Sequence, residues 1–199
     1  MPSQGWESKG HRDSGTVAVE TAFVSMFLVM LLFGIIESSF LFKNYLVVAA
    51  ATRAGARMGA SQPRIASVSG SPDFAQLAAN QVTNAITDLI PANLQQVWVY
   101  KATATTGLPD SGSFASCNVC DKFTWNVVTQ SLVDTSSNWP ALNQDACSGD
   151  PFSGTPSRDS LGVYIQYKNS SPLGFFFSNV IINQSTVMWI EPTTAPICR

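Results

Sequence analysis

The sequence predicts an α+β protein in which one long N-terminal helix precedes a small domain built on an antiparallel sheet. An apolar run, uncharged from Thr21 to Ile36, continues without proline into an alanine-rich stretch that reaches about Ala60. After Pro63 the composition changes to Ser, Thr, Asn, Gly and Pro, with short segments that alternate between apolar and polar residues. A helix followed by several short strands is typical of an α+β fold.

The apolar run is long enough to span a membrane. As a helix, residues 16–42 would extend about 40 Å, whereas a bilayer core is about 30 Å thick. We therefore predict a transmembrane segment at 16–42 and a helical stalk at 43–60. The stalk ends after Gly59, because Pro63 cannot continue a helix. The alternative is a cleaved secretory signal with its A-x-A site at Ala49-Ala50-Ala51, but the apolar stretch exceeds the usual length of a signal.

Four residues of this helix are candidates for contacts between helices. Gly55 belongs to a group of small residues that permit close helix approach, and Arg53 and Arg57 are spaced i, i+4 on one face. Glu37 follows the apolar run, and we expect it at the outer edge of the bilayer as a solvated carboxylate.

The exported domain, residues 64–199, should contain one helix and several strands. Ser71 is the predicted N-cap of an amphipathic helix with Pro72 at its first position, and Pro91 stops that helix. Alternation of apolar and polar residues predicts strands at 123–127 and 163–168, and a run of valine and aromatic residues predicts one at 95–103. A last strand is predicted at 186–191, and residues 131–158 read as a loop. For Phe175-Phe176-Phe177 we predict a short helix on the sheet, with docking on a membrane or partner as the alternative.

Four cysteines follow the apolar run, and they are Cys117, Cys120, Cys147 and Cys198. An even number after a membrane segment predicts two disulfides in an exported domain, and three pairings are possible. A zinc site at Cys117 and Cys120 would need a second C-x-x-C or a histidine at finger spacing, and the sequence has neither.

Composition argues against several functions. The net charge is −2, so no strong field attracts nucleic acid. The single histidine is His11, in the polar N-terminal stretch, which removes Ser-His and Cys-His nucleophile pairs and most zinc sites. No phosphate-binding or dinucleotide motif is present. We therefore expect no catalytic residues, no metal, no cofactor and no nucleic-acid partner.

Three runs within the first sixty residues resemble the TadE-like family, the minor pilins or pseudopilins of the tight-adherence (Tad/Flp) type IV pilus. These runs are G-T-V-A-V-E-T-A-F from Gly15, L-L-F-G-I-I-E ending at Glu37, and A-A-T-R-A-G-A-R ending at Arg57. The resemblance implies a pilin-like architecture, with residues 1–15 as a leader that a prepilin peptidase removes between Gly15 and Thr16. It also implies that Glu20 corresponds to the pilin glutamate.

The resemblance further implies the location and the partners of the chain. The N-terminus would be cytoplasmic and the C-terminal domain extracytoplasmic, on a single-pass helix in the cell membrane or in a pilus at the cell surface. The partners would be other pilin and pseudopilin subunits, the prepilin peptidase, the inner-membrane assembly platform and the lipid bilayer.

The chemistry of Glu20 agrees with this reading. Inserting an acidic residue into a membrane costs roughly 2.5–3.5 kcal/mol at the centre of the helix and less near its ends. Such a residue is therefore expected to have a partner or a function. Cleavage after Gly15 would leave an ammonium on Thr16, which the Glu20 carboxylate of an adjacent subunit would neutralise. Two alternatives remain: a single-pass anchored binding domain that never enters a filament, and a secreted enzyme with an ordinary signal peptide.

Overall fold

The computed structural model describes residues 13–63, 73–146, 158–171, 174–177 and 179–192. Helix α1 spans Asp13–Ser61 and therefore covers the whole of the predicted membrane and stalk segments as one continuous helix. Of the predicted leader, residues 1–12 lie outside the described ranges.

The domain consists of a second helix and a five-stranded sheet. Helix α2 spans Phe74–Ala85, and the strands are β1 Leu94–Ala102, β2 Cys120–Asn126, β3 Ser131–Ser137, β4 Ser160–Asn169 and β5 Val180–Trp189. The strand order is β3-β2-β1-β4-β5, and every neighbouring pair is antiparallel. This arrangement confirms the predicted α+β fold class.

The hydrophobic core lies between one face of the sheet and the two helices. The second half of α1 contributes Val48, Ala51 and Ala56, which are fully buried, at the spacing of one helical face. Gly55 and Gly59 let this half approach the domain closely. A Cβ at Gly55 would lie 2.6 Å from Cγ2 of Val82, and one at Gly59 would lie 2.9 Å from Cδ1 of Leu161.

The opposite face of the sheet carries a separate aromatic cluster. Trp98 and Tyr164 pack edge to face with ring centroids 5.6 Å apart, and Phe114 stacks on Tyr164 at 4.3 Å. The Lys122 ammonium lies 4.3 Å from the centroid of the Trp98 ring. Cys120 is buried in this cluster, and Cys117 packs at its edge.

Four local predictions were wrong. The N-cap of α2 is Asp73, whose carboxylate accepts a hydrogen bond from the Gln76 amide at 2.8 Å, and the predicted caps at 71–72 lie outside the described residues. The helix ends at Ala85, before Pro91, the residue that was predicted to stop it. Strand β5 begins at Val180, six residues earlier than predicted, because it pairs with β4 along its whole length.

Strand β3 was also missed, because its composition is that of a loop. Residues 131–137 read S-L-V-D-T-S-S, and within them Leu132 alone is buried. β3 is an edge strand that forms through its backbone pairing with β2, and a polar edge strand lacks the apolar alternation that sequence analysis uses.

Candidate functional site

The first half of α1 is the candidate functional site, since its apolar side chains are exposed. This helix is long and apolar enough to cross a membrane, and no residue of its most apolar stretch is buried in the domain. Phe23, Met26 and Phe27 are more than 70% exposed. Exposed apolar surface of this extent marks a membrane or protein interaction site.

Gly15 and Thr16 lie in the first turns of α1. A Cβ at Gly15 would have no neighbour within 4 Å, and the residue does not have a positive φ. A glycine inside a helix costs about 1 kcal/mol relative to alanine. Neither close packing nor backbone conformation in the described chain therefore requires a glycine at this position.

Glu20 lies one turn further along α1, on its exposed surface. Its side chain forms no salt bridge within the described ranges, whose one ion pair joins Lys101 to Asp159. Glu20 is thus an acidic side chain in apolar surroundings that the rest of its own domain does not reach.

Glu37 has the opposite environment. Its side chain is fully buried, and its carboxylate accepts three backbone hydrogen bonds. Oε1 accepts from Phe175 N–H at 2.8 Å, and Oε2 accepts from Phe176 N–H at 2.7 Å and Phe177 N–H at 3.1 Å. Successive N–H groups that converge on one carboxylate form an anion-binding nest. The expectation that Glu37 is solvated is therefore wrong.

The segment that binds Glu37 is a bend, which we name the phenylalanine turn (residues 174–177). The prediction of a short helix here was wrong. The turn begins at Gly174, whose φ of 69° favours glycine, and its three following N–H groups point to one acceptor instead of to a helical ladder. Phe175 also stacks on Phe33 of α1, with ring centroids 6.0 Å apart.

A second contact joins the phenylalanine turn to α1 through the sheet. The Asn44 amide of α1 donates to Oδ1 of Asn169 at 2.6 Å, and the Asn169 amide donates to the Phe177 carbonyl at 3.5 Å. Asn169 is buried. The turn is therefore attached to the helix at Glu37 directly and, two turns further along, through the Asn44–Asn169 pair.

The remaining helix candidates separate into two groups. Arg53 and Arg57 lie on the exposed face of α1 and are available to a partner. Gly55 is buried against α2 and β4 of its own domain. Within the described structure its smallness serves intramolecular packing.

The structure describes two of the four predicted disulfide residues. Cys117 and Cys120 are free thiols. Their mutual hydrogen bond raises the pKa of Cys117 and lowers that of Cys120. Cys147 and Cys198 lie outside the described residues, but Ala146, next to Cys147, is buried in the helix-facing core. Cys120 lies on the other face of the sheet.

Comparison with known proteins supplies one match. A family model described as TadE-like protein matches residues 15–57. This match confirms the TadE-like resemblance over residues 15–57 of α1, a range that includes Gly15, Glu20, Glu37 and Arg57. It indicates a protein associated with the Tad pilus, which would have other pilus components as partners, and the apolar helix fits a membrane anchor.

The TadE-like match does not extend into the domain that follows α1. No curated protein and no solved structure gives a significant match to the chain. The phenylalanine turn is therefore known from the structure alone. The sequence offered one partial signal for it, since a glutamate next to a long apolar run requires hydrogen-bond donors, but no local pattern showed which backbone amides supply them.

Proposed function

We propose that the chain is a minor pilin, or pseudopilin, of a Tad-type pilus. Its α1 helix crosses the inner membrane with the N-terminus in the cytoplasm, and the domain lies outside. The observation that supports this proposal is the contrast between the two halves of one continuous helix. The second half is packed into its domain, whereas the first half exposes apolar side chains on every side.

An apolar half-helix of this kind has two suitable environments. A bilayer covers it while the protein is anchored, and the helices of other subunits cover it in a filament. Because packing without a hydrophobic driving force depends on close contacts and polar pairs, a lone carboxylate on this surface can select a partner. A protein that only needs an anchor gains nothing from Glu20.

Cleavage after Gly15 would add a positive charge to this apolar surface. The glycine is not required by packing or by backbone conformation in the described chain, and its helix cost of about 1 kcal/mol relative to alanine is consistent with recognition by a peptidase. Cleavage creates an ammonium on Thr16. In a parallel bundle this ammonium pairs with Glu20 of an adjacent subunit, and the pair offsets two desolvation costs and fixes the axial offset between the helices.

N-terminal sequencing of the protein isolated from its own membrane tests the processing step. We expect Thr16 as the first residue. Met1 would contradict the proposal and favour a plain anchor, and a start shortly after Ala51 would favour a secreted protein. Gly15→Leu should prevent cleavage, whereas Gly34→Leu, at another helical glycine with no neighbour within 4 Å of its Cβ position, should not.

Assembly is tested separately with Glu20→Gln, which keeps the size of the side chain and removes its charge. We expect normal cleavage but a strongly reduced amount of the protein in sheared pili, as measured by immunoblot. Ser25→Ala, on the same exposed segment, serves as the matched control. Wild-type incorporation of the Glu20→Gln protein would refute the pairing of Glu20 with Thr16.

A further inference from the structure

We propose that the phenylalanine turn is a membrane-docking element, in which the rings of Phe175 and Phe176 enter the outer leaflet of the bilayer beside α1. The buried carboxylate of Glu37 holds the turn at that depth. This inference rests on the membrane insertion of α1, but it does not depend on cleavage after Gly15 or on assembly into a pilus.

The position of Glu37 along α1 supplies the depth. At about 1.5 Å per residue, the rise from Thr16 to Glu37 is about 32 Å, which is close to the thickness of a bilayer core of about 30 Å. When Thr16 lies at the cytoplasmic boundary, Glu37 and the turn bound to it reach the outer boundary. The domain packs on α1 from this level onward.

Two of the three phenylalanine side chains of the turn are exposed. Phe175 is 70% exposed and Phe176 is 47% exposed, although Phe175 also contacts Phe33 of the apolar half-helix. The exposed aromatic surface is therefore continuous with the surface that the bilayer covers. Apolar grooves flank the turn on α1, and Phe27 and Met30 line one of them together with Phe176.

The N–H groups of the three phenylalanines in the turn have the partners that an apolar environment requires. An irregular segment is excluded from hydrocarbon when its N–H and C=O groups have no partner, because each unsatisfied group costs several kcal/mol. Here the N–H groups of Phe175, Phe176 and Phe177 bind Glu37, and the Phe177 carbonyl accepts from Asn169. Glu37 thus supplies hydrogen-bond acceptors that water would supply if the turn were exposed to solvent.

The rim around the turn has the composition of a membrane interface. Phe42 of α1 lines a groove with Phe176 and Phe177, and it also lines a neighbouring groove with Tyr45 and with Ile181 of β5. The side chains of Phe42, Tyr45 and Ile181 are exposed, as is that of Lys43, the residue after Phe42. Aromatic residues are enriched at the headgroup level, and lysine side chains extend from there toward water. We therefore assign the bilayer as occupant of this surface, with a second copy of the chain as the competing outcome.

Tryptophan quenching by lipid tests the assignment on the full-length protein. The protein is reconstituted into vesicles of phosphatidylcholine and phosphatidylglycerol with and without bromine on the acyl chains. Phe176→Trp reports on the turn, Phe27→Trp on the membrane helix, and Val128→Trp, at an 86% exposed position of the β2–β3 turn, on water. The signal is the fluorescence that each variant adds to the wild type.

We expect brominated lipid to quench the added fluorescence of Phe176→Trp to about the same fraction as that of Phe27→Trp, and to leave Val128→Trp unchanged. Quenching of Phe27→Trp alone would overturn the docking of the turn and leave the membrane anchor intact. Absence of quenching at both positions would overturn the docking of the turn and also the membrane insertion of α1. Quenching of Phe176→Trp that disappears as the protein-to-lipid ratio rises would assign the surface to a second copy.

A measurement on the unaltered protein guards against an effect of the substitution itself. A phospholipid with a photoreactive group on its acyl chain should form adducts on the peptide that contains Phe175 and Phe176. Adducts confined to peptides from α1 would overturn the proposal.

Discussion

Replacement of Glu37 by glutamine tests how the phenylalanine turn is attached to helix α1. The substitution keeps the length and shape of the side chain, so the surrounding packing has no reason to change. It removes the charge and replaces one acceptor oxygen by an NH2 group. If that group takes the position of Oε1, it faces the Phe175 N–H, which then has no acceptor.

The expected magnitude follows from the three hydrogen bonds. One bond is lost outright, and the bonds from Phe176 and Phe177 change from a charged to a neutral acceptor, which makes them about half as strong. Local opening governs the exchange of such amides with solvent. We expect the amides of the turn to exchange about ten to a hundred times faster, while the amides of β1 and β4 keep their rates.

Hydrogen–deuterium exchange with mass spectrometry, on the full-length protein in detergent micelles, measures this effect. Glu20→Gln is the matched control, because it removes a carboxylate from the same helix that no described residue contacts through a salt bridge. Its exchange at the turn should equal that of the wild type. Unchanged exchange at the turn in Glu37→Gln would refute the reasoning, as would an equal acceleration throughout the sheet.

Three further predictions concern packing, pH and the thiols. Gly55→Ala should destabilise the domain by about 1–3 kcal/mol through overpacking, seen as a lower Tm, whereas Gly34→Ala should not lower it. Burial raises the pKa of Asp121 to about 6 in the folded protein, whereas the pKa of an aspartate in the unfolded chain is about 4. The stability of the fold should therefore fall as the pH rises from about 4 to 6. A pH series of Tm values in which Asp121→Asn shows the same fall would contradict this. Cys117 and Cys120 are free thiols that pack in one cluster, so oxidation should join them to each other. Peptide mapping of the oxidised protein without reductant checks this, and a Cys120 linked to any other cysteine would exclude it.

Much of the fold could be predicted because its signals are local. The uncharged run from Thr21 to Ile36, the absence of proline from α1 and the regular apolar positions of its second half depend only on neighbouring residues. Strands β1 and β4 are rich in β-branched and aromatic residues, which let them be predicted within a few residues. The run from Gly15 to Glu20 could likewise be recognised from the sequence, because its residues are consecutive in the chain.

Other features depend on residues that are far apart in the chain. Strand β3 is specified by its partner β2 more than by its own composition. Gly55 looked like a contact for another subunit until the structure brought Val82 to within 2.6 Å of its Cβ position.

By itself, the sequence determined that this chain carries a membrane-competent helix with an acid near each end, joined to a small antiparallel domain. Only the tertiary structure decided that those two acids, Glu20 and Glu37, lie in different environments. Glu37 meets the amide of a residue 138 positions later, whereas the domain does not reach Glu20. The physical reason is that a buried carboxylate requires several converging donors, and folding brings such donors together from positions that no local pattern connects.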